Sequence, residues 1–146
     1  MPIRDATPED WPAVAALLAE LGRPDVRGEG EERYRRLFLD YLDRADTDAL
    51  VAEDEAGVVG FVNLEYRHRL NRGTPEAWIP ELIVAAPARR RGVGAALLGR
   101  AEALARERGC WAISLESANW RTDAHRFYVR EGWIDDAKAF DKPLDD

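Results

Sequence analysis

The sequence predicts a mixed α/β fold in which helices flank a largely antiparallel sheet. Three observations predict it: two amphipathic helical segments come first, two strands joined by a tight turn follow, and a later helix separates two apolar strands. That later segment is a single strand–helix–strand crossover. The length of 146 residues fits one domain over residues 1–146.

The first part of the chain predicts a short strand followed by two helices. Residues 3–5 are the strand, and Thr7 and Pro8 suit the cap and first position of a helix that ends near Gly22. A loop over residues 22–30 follows. The apolar residues of the second amphipathic helix are Tyr34, Leu37, Phe38, Tyr41 and Leu42.

The central part predicts strands. Residues 49–53 and 58–67 flank a turn at 54–57, which is the pattern of a hairpin. Residues 78–84 predict a third strand of this region. Because Pro80 has no N–H to donate, it predicts an edge, a bulge or a splay within that strand.

The last part predicts a long helix over residues 92–108, a strand over 110–115 and a short helix over 122–131. Final strands are expected from Trp133 onward.

Composition excludes several classes of protein. The net charge of −7 and the pI of about 5.0 exclude an overall basic surface of the kind that binds nucleic acid. Cys110 is the single cysteine, so an internal disulfide is impossible, and with two histidines it cannot make a Cys/His zinc site; no metal is predicted. The sequence contains no signal-like or membrane-length apolar run, so we expect a cytoplasmic protein that does not enter membranes.

The most informative stretch joins the strand ending near Val84 to the long helix. Successive N–H groups at a helix start have no internal partner, and the helix dipole there favours an anion. Glycines allow a close approach to the main chain, and arginines bind phosphate oxygens. The stretch therefore predicts a cradle for a pyrophosphate. The residues of this predicted cradle are Arg89, Arg90, Arg91, Gly92 and Gly94.

Two phosphate-binding patterns do not match. The GxxxxGK[ST] loop is absent, and Leu97 stands where a dinucleotide fingerprint needs its third glycine. The spacing Arg89-x-x-Gly92-x-Gly94 instead resembles the acyl-CoA signature of the GNAT superfamily of N-acyltransferases. The segment from Ala124 to Trp133, with Phe127-Tyr128, is similar to the family's C-terminal helix-to-strand pattern, and residues 140–144 to its closing strand.

The resemblance covers nearly the whole chain and implies the GNAT fold, with a splayed sheet and acetyl-CoA as co-substrate. Ile83 and Val84 match the strand that pairs with the pantetheine arm. Arg89 and Arg90 would lie beside the pyrophosphate. The main-chain N–H groups that would hold it belong to Arg91, Gly92, Val93, Gly94 and Ala95.

The implied reaction is direct attack of a primary amine on the acetyl thioester. An ammonium must first lose a proton, so a base is needed, and the leaving thiolate benefits from an acid. Tyr128 matches the family's tyrosine and is the expected acid. Glu81, which alternates onto the face of Ile83, and Glu116 are the candidate bases, and Glu81 is favoured.

Two other functions are compatible with parts of the sequence. A non-catalytic acyl-CoA-binding sensor or interaction module would keep the cradle without turnover. A nucleic-acid-binding domain would use the cluster from Arg89 to Arg91, but the net charge disfavours it. We expect a small-molecule or peptide amine as acceptor, and the resemblance leaves a homodimer open.

Overall fold

The computed structural model describes residues 1–21 and 25–145. Its contacts divide the chain into two units, Met1–Ser114 and Leu115–Asp146. The strands are β1 (Ile3–Asp5), β2 (Thr47–Asp54), β3 (Gly57–Arg67), β4 (Glu76–Ile79), β5 (Leu82–Val84) and β6 (Ala112–Leu115). The helices are α1 (Trp11–Ala19), α2 (Glu31–Asp43), α3 (Val93–Glu107) and α4 (Thr122–Arg130). Within the described ranges, no helix has the length and apolar character needed to cross a membrane.

The chain enters α1 through a short 3-10 turn over Pro8–Asp10. The Thr7 N–H donates to the Asp10 carboxylate at 2.8 Å, and Pro8 occupies the first position of the turn, so the predicted helix start is confirmed. Arg4 also binds the Asp10 carboxylate at 2.8 Å, which ties β1 to this turn. The predicted helix end at Gly22 lies outside the described residues.

The six strands form one mixed, mostly antiparallel sheet in the order β1-β2-β3-β4-β6, with β5 paired to β3 off this path. β2 and β3 form the predicted hairpin, in which Val51 pairs with Phe61. The mixed α/β fold class predicted from the sequence is confirmed.

The strand predicted over residues 78–84 is divided in two. Glu65 pairs with Trp78, and Val62 pairs with Leu82. Residues 63 and 64 of β3 therefore lie opposite three residues, 79–81, of the neighbouring strand segment. This is a one-residue bulge, and it lies at Pro80, where the missing N–H already weakens the ladder.

The two faces of the sheet in the first unit are covered by different helices. Phe61 and Ile83 belong to the core cluster that contains Trp11 and Val14 of α1 and Phe38 of α2. We call this side the α1 face. On the opposite side α3 approaches β3 so closely that a Cβ at Gly60 would lie 2.9 Å from Val93 Cγ1 and from Leu97 Cδ1.

Two expectations from the sequence are corrected. Leu37, expected on the apolar side of α2, is 59% exposed; in α2, Phe38 is the buried residue. No strand forms between Trp133 and residue 145, and Phe140 and Leu144 are each 90% exposed. The aspartates in this segment disfavour strands, and Pro143 cannot donate to a ladder.

Candidate functional site

The turn between β5 and α3 contains one buried residue and one residue with a strained backbone. Ala88 in the 3-10 turn Ala86–Ala88 is buried, while Arg90 and Gly92 both adopt left-handed backbone angles, with φ of 65° and 79°. Left-handed angles cost a residue with a Cβ about 1–2 kcal/mol, so Arg90 stores strain at this point. Strain of this kind is typical of functional sites.

The first turn of α3 exposes a group of main-chain donors. Its first helical bond runs from the Ala96 N–H to the Gly92 carbonyl at 3.0 Å. In the part of the chain that the structure describes, the N–H groups of Val93, Gly94 and Ala95 have no hydrogen-bond acceptor. The helix dipole adds positive potential at the same place, so this turn is chemically suited to an anion.

The three arginines before this helix play different parts. Arg89 donates from Nε to the Val84 carbonyl at 3.2 Å, and its Nη2 lies 3.8 Å from Glu20 Oε1. Arg91 Nη2 lies 3.2 Å from Asp54 Oδ2. Among the described residues Arg90 has no ion pair. Two arginines therefore brace the turn, and the guanidinium of Arg90 is left for a ligand.

On the outer edge of β5, main-chain N–H and C=O groups have no strand partner within the described residues. The Glu81 carbonyl accepts the Asn63 N–H at 3.2 Å, and the Ala85 N–H donates to the Val59 carbonyl at 2.8 Å. The main-chain groups of every second residue in this segment therefore point toward β3. The N–H groups of Leu82 and Val84 point away from β3. Over residues 1–21 and 25–145, β6 lies beside β4 and no strand lies outside β5.

Glu81 lies at the bulge on the α1 face. Its N–H donates to the Asn63 side-chain oxygen at 2.8 Å. Beside it, the Tyr41 hydroxyl donates to the Leu64 carbonyl at 3.0 Å. Burial, with the nearby carboxylates of Glu65 and Glu81, raises the pKa of Tyr41 well above its ordinary range. The tyrosine therefore remains a neutral donor.

Sequence reasoning missed Asn63 as a structural part of this site. The available signal was a polar residue within the otherwise apolar run from Gly60 to Leu64. Its role depends on pairing with a residue 18 positions away, which no local pattern reveals.

The second unit holds the other two catalytic candidates. Tyr128 of α4 packs between the rings of Phe127 and Trp133, at centroid distances of 5.3 and 5.9 Å. Burial raises the pKa of Tyr128, and the charge of Arg121 opposes the shift. Glu116, just after β6, is exposed.

Cys110 is half-buried, and this burial raises the pKa of its thiol, which makes it a weaker nucleophile near neutral pH. Within the described ranges, no group of three His, Cys, Asp or Glu side chains is arranged to hold a metal ion.

A family model and a curated relative both indicate an acetyltransferase. The model of the acetyltransferase (GNAT) family matches residues 11–133. The chain is 33% identical to an aminoalkylphosphonate N-acetyltransferase of Salmonella typhimurium, over 97% of this chain and 90% of the relative.

Solved structures share the fold. A transcriptional regulator from Bacillus halodurans C-125 superposes with a TM-score of 0.86 at 27% identity, covering 98% of this chain and 99% of that one. Glucosamine-6-phosphate N-acetyltransferase from Arabidopsis thaliana superposes with a TM-score of 0.85 at 17% identity, covering 99% and 98%. The GNAT model spans most of the chain and the enzyme relative nearly all of it, so this protein belongs to the GNAT family and is an acetyltransferase.

Proposed function

We propose that this enzyme transfers the acetyl group of acetyl-CoA to a primary amine by direct attack. The observation that carries the proposal is the pair of unsatisfied main-chain surfaces within residues 1–114: the N–H groups that open α3 and the outer edge of β5. Coenzyme A carries a diphosphate and an amide-containing arm, which match a cluster of N–H donors and a free strand edge.

The donor-binding residues are assigned from these surfaces. The N–H groups of Val93, Gly94 and Ala95 would hold the diphosphate, with the Arg90 guanidinium beside it. Leu82 and Val84 would pair with the pantetheine arm, because their N–H groups face outward whereas Ile83 pairs with Phe61 of β3. This places Leu82 in the role that the sequence resemblance gave to Ile83.

The reaction makes an N–C bond and breaks a C–S bond. The amine proton must leave, the thioester oxygen gains negative charge and the sulphur departs as a thiolate that takes a proton. We assign the base to Glu81 rather than Glu116, because Glu81 is half-buried at the bulge whereas Glu116 is exposed. An outward N–H of β5 would stabilise the oxygen.

Tyr128 is proposed as the acid for the thiolate. Burial raises the pKa of its hydroxyl, so the group keeps its proton across the pH range in which an amine can react. The assignment rests on the resemblance of the segment from Ala124 to Trp133 to the family pattern.

The Salmonella relative supports one class of amine as the proposed acceptor. The Salmonella enzyme is named for aminoalkylphosphonates, and the likeness extends over almost the full chain. We therefore place small anionic amines first among the acceptors. The cytoplasmic location, the single domain and the homodimer stay predictions.

Two glycines of α3 offer a matched test of the donor site. Gly94→Glu puts a negative side chain at the proposed diphosphate site, and Gly99→Glu puts the same side chain on the same helix where no atom lies within 4 Å of a new Cβ. Calorimetry should show that Gly94→Glu abolishes CoA binding and that Gly99→Glu preserves it.

Equal CoA affinity in both variants would contradict the donor site. Acetyl-CoA consumption across a panel of amines then tests turnover. Binding of CoA with no turnover on any amine would favour the sensor interpretation.

A further inference from the structure

A basic segment at the junction of β3 and β4 has no part in the reaction described so far. Arg67, His68, Arg69 and Arg72 follow one another within six positions of a chain whose net charge is −7. Among the acidic residues, Glu76 faces two of these arginines. The segment is therefore a local positive surface on an acidic protein.

Arg67 is held in a fixed position. Its Nε donates to Glu76 Oε1 at 2.8 Å, its guanidinium carbon lies 5.0 Å from the centre of the Trp78 ring, and its Nη2 lies 3.5 Å from Ser114 Oγ. Within the described residues, Nη1 has no hydrogen-bond acceptor. A rigid guanidinium with open donors is well suited to bind an oxyanion.

Glu76 is the residue that fixes this arrangement. It is only 4% exposed, and besides Arg67 it has the Arg69 Nε at 3.8 Å from Oε2. One buried carboxylate thus faces two guanidiniums. An excess of one positive charge remains at the surface, where an anionic ligand can reach it.

The same sheet face carries carboxylates further along. Side chains of β3 alternate between faces, so Arg67, Glu65 and Asn63 share the α1 face with Phe61. Arg67 lies about 7 Å along the strand from Glu65. Glu65 and Glu81 both lie close enough to Tyr41 to affect its titration.

We infer that the acceptor is a short zwitterionic amine whose anionic group binds Arg67 while its amino group lies toward Glu65 and Glu81. The inference rests on the proposed function and gives its acceptor a chemical class. Because Arg67 and Glu65 are only two residues apart on β3, the chain between the amine and the anion is expected to be short, of two or three carbons. Phosphonates and carboxylates share the required oxyanion chemistry.

The first measurement compares three amines of similar size with the intact enzyme: 2-aminoethylphosphonate, β-alanine and propylamine. Both anionic amines should have a kcat/KM at least about tenfold above that of propylamine, since hydrogen bonds to charged groups contribute factors of this size. The ratio between the phosphonate and the carboxylate then identifies which anion the site prefers.

Arg67→Gln should raise KM for the anionic amines by about ten- to a hundredfold and leave kcat/KM for propylamine unchanged. Calorimetry of 2-aminoethylphosphonate with the CoA-loaded protein should show the same loss of affinity. Arg100→Gln, which removes an exposed arginine from the middle of α3, is the matched control and should behave as wild type.

Arg67→Gln leaves the buried Glu76 carboxylate without its nearest cation, so the variant can fail to fold. The double variant Arg67→Gln with Glu76→Gln removes both charges, and it should show the same loss of anion preference in a folded protein. Thermal unfolding checks the fold of each variant.

The outcomes separate the two claims. Equal activity on the three amines in wild type, or an equal effect of Arg67→Gln on all three, would overturn this inference and leave the proposed function standing. An absence of acetylation on every amine would overturn both.

Discussion

Asn63 and Glu81 bond to each other through two reciprocal contacts. The side-chain oxygen of Asn63 accepts the Glu81 N–H at 2.8 Å, and the Asn63 N–H donates to the Glu81 carbonyl at 3.2 Å. At a bulge one residue loses its ladder partner, and its N–H must be satisfied in another way. Asn63 supplies that acceptor, so it fixes the backbone that carries the proposed base.

Asn63→Ala should therefore affect both stability and turnover. The Glu81 N–H loses its acceptor, and the free energy of unfolding should fall by about 1–3 kcal/mol. The displaced Glu81 should lower kcat more than it raises KM for acetyl-CoA. Urea unfolding and steady-state kinetics measure the two effects.

Asn71→Ala changes an exposed asparagine in the β3–β4 loop and serves as the control. Wild-type kcat in Asn63→Ala would show that the proton is removed without a positioned Glu81.

Gly60→Ala should loosen the packing of α3 on the sheet. The new Cβ would lie 2.9 Å from Val93 Cγ1 and from Leu97 Cδ1, and overpacking in a tight core costs about 1–3 kcal/mol. Because Val93 is the first residue of α3, we also expect CoA affinity to fall. Chemical denaturation and calorimetry test both expectations.

The control for Gly60→Ala is Gly99→Ala, which changes a glycine of α3, the helix that packs on Gly60. No atom lies within 4 Å of a Cβ at Gly99, and alanine favours a helix interior by about 0.5–1 kcal/mol over glycine. Gly99→Ala should raise stability and keep CoA affinity. A Gly60→Ala protein as stable as wild type would mean that α3 shifts on the sheet without cost.

Local patterns predicted the elements of this fold better than its long-range contacts. Pro80 indicated the irregularity of its strand because a missing N–H is a local property. The bracing of Arg89 by Glu20 and of Arg91 by Asp54 involves residues 69 and 37 positions apart, which only the folded chain brings together.

The final strands were predicted wrongly for the same kind of reason. The pattern around Phe140 and Leu144 fits the family's closing strand, but a strand forms only where a sheet edge accepts it. In the described part of the chain these two side chains stay exposed.

Acid should weaken the anchoring of β1 through Asp10. Hydrogen bonds from Arg4 hold the pKa of this carboxyl below its ordinary value of 3.8. A lowered pKa in the folded state gives stability that is fully present above the ordinary value and is lost as pH falls through the lowered one. Asp10→Asn should therefore be less stable at pH 7 and should lose less stability below about pH 4.

Unfolding free energies between pH 7 and pH 2 test this dependence, and Asp40→Asn, at an exposed position of α2, is the control. Parallel curves for wild type and Asp10→Asn would exclude a role of this carboxyl in acid stability.

Tyr128→Phe tests the acid of the proposed mechanism. The ring and its contacts with Phe127 and Trp133 are kept, so CoA affinity measured by calorimetry should stay at the wild-type value. Loss of a general acid should lower kcat by about a hundredfold or more. Because burial raises the pKa of Tyr128 above its ordinary value of 10.0, the wild-type rate should not decline through deprotonation of this group until the pH exceeds 10. An unchanged kcat in Tyr128→Phe would assign the proton to solvent, since the remaining ring cannot supply it.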